Sequence, residues 1–289
     1  MRLPSYCLLF VLLLLTAGSA IARTDPKTFF FIQMADTQFG MFTNNEGFEK
    51  ETALFEKAIA EANRLKPAFV VICGDLINKP GDSEQRKEML RIAGKLDKRI
   101  PLYLVSGNHD VGGEPTPESL ALYRKTIGKD QYVFKHNGTI GIVLNSTLIH
   151  HPNLAPKAYD DQLAWLRKEL IRARAKNPAH IFIFQHHPYF LETPDERDKY
   201  FNLPLERRQV YLDLFKEYGV RAVFAGHYHR NAYGKDGAME MITTGPVGRP
   251  LGDDPSGFRI VTVYPDRIEH TYFGMGAMPA AVPLEQVVQ

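Results

Sequence analysis

An α/β fold is the class this 289-residue chain predicts, and three observations predict it. Short, continuously apolar runs alternate with amphipathic stretches of helical period from Thr28 to Ala225. Each apolar run stops at a cluster of polar side chains. From Ala238 onward the chain breaks into short β-like runs, which predict a second, more antiparallel sheet.

The elements follow in order. Residues 28–34 form an apolar strand that ends at Ala35-Asp36-Thr37-Gln38-Phe39-Gly40. Residues 49–64 place Leu54, Ala58, Ile59 and Ala62 at helical spacing and read as a helix covering the sheet. A strand over 68–73 stops at Gly74-Asp75, and a helix over 83–96 follows with Ser83 as its N-cap. The strand over 100–105 runs into Gly107-Asn108-His109-Asp110. Beyond it lie a helix over 118–127, strands over 132–134 and 139–145, and a long helix over 160–175 carrying the single Trp165. Residues 180–185 are the strand that delivers His186. The stretch 187–208 mixes Pro, acids, Arg and aromatics without period and reads as a functional loop running into a helix over 205–218. The strand over 220–225 ends at Gly226-His227-Tyr228-His229. Runs over 239–243, 258–264 and 267–273 complete the chain, with Pro265-Asp266 as a hairpin turn.

Hydrophobic content of 44%, charged content of 24% and a net charge of +2 describe an ordinary globular protein and give no electrostatic case for a nucleic-acid partner. Arg2, the apolar run 8–15 and the small residues around Ala20-Ile21-Ala22 read as a cleaved signal peptide over residues 1–22. That run falls short of the roughly 18–20 residues a membrane span needs. The mature chain is then a single domain over 23–289, secreted or periplasmic, with no stable membrane span. Cys7 leaves with the signal, so Cys73 has no disulfide partner and reads as a packing residue of its strand.

In an open α/β sheet, ligands bind beyond the carboxyl ends of the strands. Gathered there are Asp36, Gln38, Asp75, Asn108, His186, His227 and His229, a mixed nitrogen and oxygen donor set without thiolate, which suits divalent Mn, Fe or Zn. Seven donors exceed the needs of one ion. They imply two ions sharing a bridging carboxylate, for which Asp75 is the candidate, and paired ions are the usual device for in-line displacement at phosphorus. His227 and His229 are alternate residues past a strand, so each can serve a different ion. His109 is placed on the open side to protonate the leaving oxygen, with Asp110 holding its tautomer.

Asp36-x-Gln38, Gly74-Asp75, Gly107-Asn108-His109-Asp110, His186 and Gly226-His227-x-His229 resemble, in order, the five motifs of the calcineurin-like metallophosphoesterases. The longer strings Ala-Asp-Thr-Gln-Phe-Gly, Phe-Gln-His-His-Pro and Gly-His-Tyr-His-Arg-Asn-Ala look most like the branch of the calcineurin-like phosphoesterase domain-containing proteins, typified by a serine/threonine phosphatase. The resemblance implies a four-layer α/β/β/α double β-sandwich, two mixed sheets flanked by helices. It further implies Asp36, Gln38, Asp75 and His229 around one ion and Asp75, Asn108, His186 and His227 around the other. Most of the family has His where this chain has Gln38, a weaker and harder donor. The expected activity is a phosphatase acting on a phosphorylated small molecule or phosphoprotein, a monoesterase ahead of a diesterase; the alternative is a catalytically silent binding module on the same fold. The complete donor set together with His109 favours the enzyme.

Other residues receive plainer readings. His187 either touches substrate or is a spare loop imidazole, the second reading preferred, and His150-His151 reads as part of a solvated turn. Arg230 and Arg249 either bind phosphate, with Asn108 and His109, or pair with Asp253 and Asp254. Asn137 and Asn145 stand in glycosylation sequons, the second expected to be structural.

Overall fold

The computed structural model describes residues 27–284, so the expected signal peptide lies outside the described residues. The first half of the chain forms β1 (Phe29–Met34), α1 (Glu49–Leu65), β2 (Val70–Cys73), α2 (Ser83–Ala93), β3 (Leu102–Val105), the single turn α3 (Asn108–Val111), α4 (Pro117–Thr126), β4 (Tyr132–His136) and β5 (Thr139–Val143). The second half forms α5 (Ser146–His150), α6 (Pro156–Arg174), β6 (His180–Phe184), α7 (Leu205–Tyr218), β7 (Ala222–Ala225), β8 (Ala232–Asp236), β9 (Met239–Thr243), β10 (Gly257–Val263) and β11 (Ile268–Gly274).

Two sheets result, ordered β11-β10-β1-β2-β3 and β4-β5-β6-β7-β9-β8. Strands β1, β2 and β3 are parallel, with β10 and β11 added antiparallel. In the second sheet β5, β6, β7 and β9 are parallel and the edge strands β4 and β8 run against them.

Alternation along each strand explains why the runs are apolar throughout. Side chains on a strand point to opposite faces in turn. Phe29 and Phe31 of β1, Val71 and Cys73 of β2, and Phe182 and Phe184 of β6 meet in one cluster between the sheets. Their neighbours Phe30, Ile32, Val70 and Ile72 pack on Phe55 and Ile59 of α1 and Met89 and Ile92 of α2, whereas Ile181 and Ile183 pack with Leu166 of α6 and Phe215 of α7. Both faces of the central strands β1, β2 and β6 are therefore dry, and the layers are helix, sheet, sheet, helix. Aromatic rings join the sheets: Phe31 meets Phe184 edge-on at 5.8 Å and Phe224 edge-on at 5.2 Å.

Three expectations need correction. The C-terminal strands do not form a sheet of their own: β8 and β9 extend the second sheet, which begins at β4, and β10 and β11 return to β1. Their pairing is long-range, and short β-like runs carry no mark of the partner they choose. Asp82, not Ser83, caps α2, its carboxylate accepting from the N–H groups of Glu84 and Gln85. The segment after β5 turns into α5, capped by Asn145, whose buried side chain accepts from Thr147 N–H in the structural role expected of it.

The loop before α7 is held from beneath. Arg208 is fully buried, and its guanidinium donates to the carbonyls of Leu203, Pro194 and Glu196 at 2.8–3.1 Å. With these donors removed, the buried carbonyl of Leu203 and the part-buried carbonyls of Pro194 and Glu196 lose their partners. Arg208→Met should therefore cost about 2–4 kcal/mol in denaturant-induced unfolding and speed hydrogen exchange across residues 194–203; unchanged values would show that the loop holds itself.

Candidate metal centre

Five strand ends meet at one place on the rim of the two sheets. Asp36 and Gln38 follow β1, Asp75 follows β2, Asn108 opens α3 after β3, His186 follows β6, and His227 and His229 follow β7. The chain bends sharply at three of the five, after β1, β2 and β7. Ten described non-glycine residues have positive φ, and five of them are Asp36, Gln38, Asp75, His227 and His229. Such conformations cost of order 1–3 kcal/mol each and persist where the surroundings impose them. The surroundings here are other strand ends: Asp36 N–H donates to Gly74 O, Gln38 N–H to Asp75 O and Gly226 N–H to His186 O, at 2.8–3.0 Å. At position 107 only glycine fits, since a Cβ there would stand 2.2 Å from the Asp75 backbone nitrogen and Oδ1.

The three imidazoles are oriented alike. Each turns one nitrogen to a main-chain carbonyl: His186 Nδ1 to Cys73 O at 2.8 Å, His229 Nδ1 to Arg249 O at 2.6 Å and His227 Nε2 to Tyr200 O at 3.2 Å. A carbonyl only accepts, so that nitrogen carries the proton and the other presents a lone pair inward, the arrangement a metal-binding histidine requires. Around His186 Nε2 stand Asp75 Oδ2 at 3.2 Å, Asn108 Oδ1 at 3.1 Å and His227 Nδ1 at 3.2 Å. Four electron-pair donors face one point there, and a single proton on Nε2 cannot serve three acceptors. Asp36, Asp75 and His229 form a second group whose donor atoms lie within 4.8 Å of one another, with His229 Nε2 at 3.4 Å from Asp36 Oδ1. Gln38 Oε1 is buried there without a hydrogen-bond partner, while its Nε2 donates to Asn78 Oδ1.

Charge tells the same story. Burial raises the pKa of Asp36, although His229 and His186 pull it down. Burial would raise Asp75 also, but the His186 imidazole bonded to it outweighs this and holds its carboxyl well below the usual range. Burial should depress His186; Asp75 and Asp36 instead lift it to about 9. Burial and then His186 push His227 down to about 3. Without metal, the two buried carboxylates have only imidazoles for positive partners, His186 beside Asp75 at 3.2 Å and His229 beside Asp36 at 3.4 Å. A divalent cation supplies positive charge at higher density and engages the atoms the His186 proton leaves facing one another. The oxygen and nitrogen donors, the orphaned Gln38 oxygen and the opposed lone pairs all fit such an ion.

The structure thus brings all seven expected donors together and revises several of their neighbours. Asp110 does not touch the His109 ring. Its carboxylate accepts from the N–H groups of Gly107, Leu76 and Ile77, tying β2 to the turn after β3, and burial followed by Asp75 pushes its pKa up to about 7. The tautomer of His109 is set instead by Asn78 O, 2.5 Å from Nδ1, while its backbone N–H donates to Asp75 Oδ1. Arg230 donates to Leu251 O rather than to Asp253 or Asp254, and Arg249 reaches Met41 O at 3.4 Å; Asp254 accepts from Asn231 N–H. Asn137 sits at the β4–β5 turn with its amide on the Lys27 backbone. Cys73 is fully buried, as its strand requires.

The histidines read as bland are the larger correction. His187 is 2% exposed, and its ring packs on His227 at 4.2 Å and on His150 at 4.9 Å. With Asn108, Gly113, Glu114, His150, His151, Tyr200 and His227 it lines a cleft of about 230 Å³ against the centre. The dipeptide His186-His187 was the available signal, but only the fold brings α5 and its His150 beneath it.

Comparison with known proteins agrees with this geometry. The family model for calcineurin-like phosphoesterases matches residues 31–231. A human serine/threonine-protein phosphatase, CPPED1, is 40% identical over 263 residues, covering 86% of this chain and 84% of the relative, and its bovine counterpart is 39% identical over 262 residues with the same coverage. Among solved structures, a dimetal phosphatase from Danio rerio superposes with a TM-score of 0.62 at 18% identity, covering 87% of this chain and 97% of that one, a likeness of fold. Matched by the model from its first strand past its last candidate ligand and aligned with these relatives over most of its length, this chain belongs to the calcineurin-like phosphoesterase family.

Proposed function

We propose that this metallophosphoesterase is a phosphomonoesterase that works outside the cytoplasm, secreted or periplasmic, on a phosphorylated small molecule or phosphoprotein. The convergence of Asp75, Asn108 and His227 on His186 Nε2 at 3.1–3.2 Å carries the reading of the site. The names of the relatives favour a monoester, and the leader over residues 1–22 favours export. Asp36, Gln38, Asp75 and His229 would hold one divalent ion and Asp75, Asn108, His186 and His227 the other, Mn, Fe or Zn. When bound, such a pair acidifies water and offsets charge on the phosphoryl oxygens.

The chain's own groups do the rest. Asn108 lines the cleft and orients the phosphoryl group beside the metal centre. His109 acts as an imidazolium: its Nδ1–H donates to Asn78 O while the second proton, on Nε2, passes to the leaving oxygen as the bond to phosphorus breaks, leaving the neutral ring with its proton on Nδ1. Arg230, bound to Leu251 O, has no assigned part in this scheme.

Elemental analysis of metal-soaked protein should find two divalent ions per chain, and Asp75→Asn should weaken both by removing the shared charge. One ion in the wild type, or two retained in the variant, sinks the dinuclear assignment. Because an amide oxygen donates less strongly than an imidazole, manganese titration of chelator-treated enzyme should show two affinities, with Gln38→His tightening the weaker. Identical isotherms for the two proteins would remove the special place of Gln38.

His109→Ala should lower kcat roughly 10²–10⁴-fold, about 3–5 kcal/mol in the barrier, on an alkyl phosphate. The loss on p-nitrophenyl phosphate, whose leaving group needs less help, should be smaller, with both ions still bound. Equal losses on both substrates would return His109 to a structural role, and faster turnover of bis-p-nitrophenyl phosphate than of the monoester would overturn the monoesterase reading.

A further inference from the structure

The ring of His187 is fixed in one tautomer by hydrogen-bond valence. Ser146 Oγ accepts the backbone N–H groups of His186 at 3.1 Å and His187 at 2.8 Å, which uses both of its lone pairs. Its remaining group, the hydroxyl proton, faces His187 Nδ1 at 2.9 Å. Nδ1 must therefore accept, and the ring proton sits on Nε2. That N–H meets no protein acceptor among the described residues, although His187 is 2% exposed and what exposure it has opens on the cleft beside His150, His151, Tyr200 and His227. An N–H that the protein leaves unpaired on a residue lining a ligand cleft takes its acceptor from what fills the cleft, water or a bound ligand.

The same bookkeeping separates two roles. His187 belongs to a group with His186 and His227 whose ring nitrogens lie within 4.8 Å of one another, which makes it a candidate ligand by distance. Its tautomer argues otherwise: where His186 and His227 turn lone pairs inward, His187 turns an N–H. We propose that His187 donates this Nε2–H to a non-bridging oxygen of the substrate's phosphoryl group, holding it beside the ions without binding either. The inference rests on the phosphatase reading above, since it needs a phosphoryl oxygen in the cleft.

The test uses the metal-loaded full chain and two variants, with inorganic phosphate as probe. Glutamine can place an amide N–H where Nε2 stands; asparagine reaches only to the level of Nδ1. His187→Gln should keep two ions and stay within about threefold of wild type. His187→Asn should keep two ions yet raise the inhibition constant for phosphate and the KM for p-nitrophenyl phosphate roughly 10- to 100-fold, the range of a hydrogen bond to a charged group. Its effect should be equal on p-nitrophenyl and alkyl phosphates, unlike that of His109→Ala. Equal phosphate inhibition in wild type and His187→Asn, or equal impairment of the two variants, would overturn the donor role, and loss of one ion from either would make His187 a ligand. A wild type that binds two ions but hydrolyses neither monoester would fail the phosphatase reading itself; measured phosphate binding still decides for or against His187.

Discussion

Two carboxylates, Asp36 and Asp75, are sealed beneath the surface with no lysine or arginine among the described residues bonded to either. Charges in such a place are costly unless a compensating charge comes within reach. Much of the architecture follows from this demand. Imidazoles crowd in from the second sheet, residues with side chains accept left-handed backbone, and glycine stands where Asp75 must approach the turn after β3. None of these features stabilises the folded chain by itself. A cation bound among them would make the whole set favourable, so metal binding should stabilise the folded chain.

The site's position depends on two sheets rather than one. The first contributes both aspartates and the amides, the second all three histidines that turn lone pairs inward, and the aromatic layer between them fixes their separation. Phe31 touches Phe69 within its own sheet and Phe184 and Phe224 across the gap. Since β1, β2, β6 and β7 end at Asp36, Asp75, His186 and His227, a shift of one sheet over the other would part the donors. Packing in the core is thus a determinant of metal geometry.

Much of this was readable from the sequence, for stated physical reasons. Strands buried on both faces leave continuous apolar runs, and a polar residue that ends such a run has few structural excuses, so Asp36, Asp75 and His186 stood out. The layering came from a family resemblance and not from periodicity. Periodicity reports the faces of a strand and is silent on its neighbour, which is why β10 and β11 were placed in the wrong sheet. Asp110 misled because a carboxylate beside a histidine invites a side-chain pairing, whereas its partners are backbone N–H groups of residues 76, 77 and 107. His187 and His150 were unreadable for a related reason: Ser146, which orients the first, lies 41 residues away in sequence.

The carbonyls that orient His186, His227 and His229 belong to Cys73, Tyr200 and Arg249. A carbonyl is present whatever side chain the residue carries. Evolution is therefore free to exchange the amino acids at these three positions without disturbing the imidazoles, but it is not free to alter the path of the backbone. Insertions or deletions in the segments that carry Tyr200 and Arg249 would move an acceptor off its nitrogen, whereas substitutions there would not. Among related chains, a preserved segment length around these positions is a better marker of an intact centre than preserved residue identity.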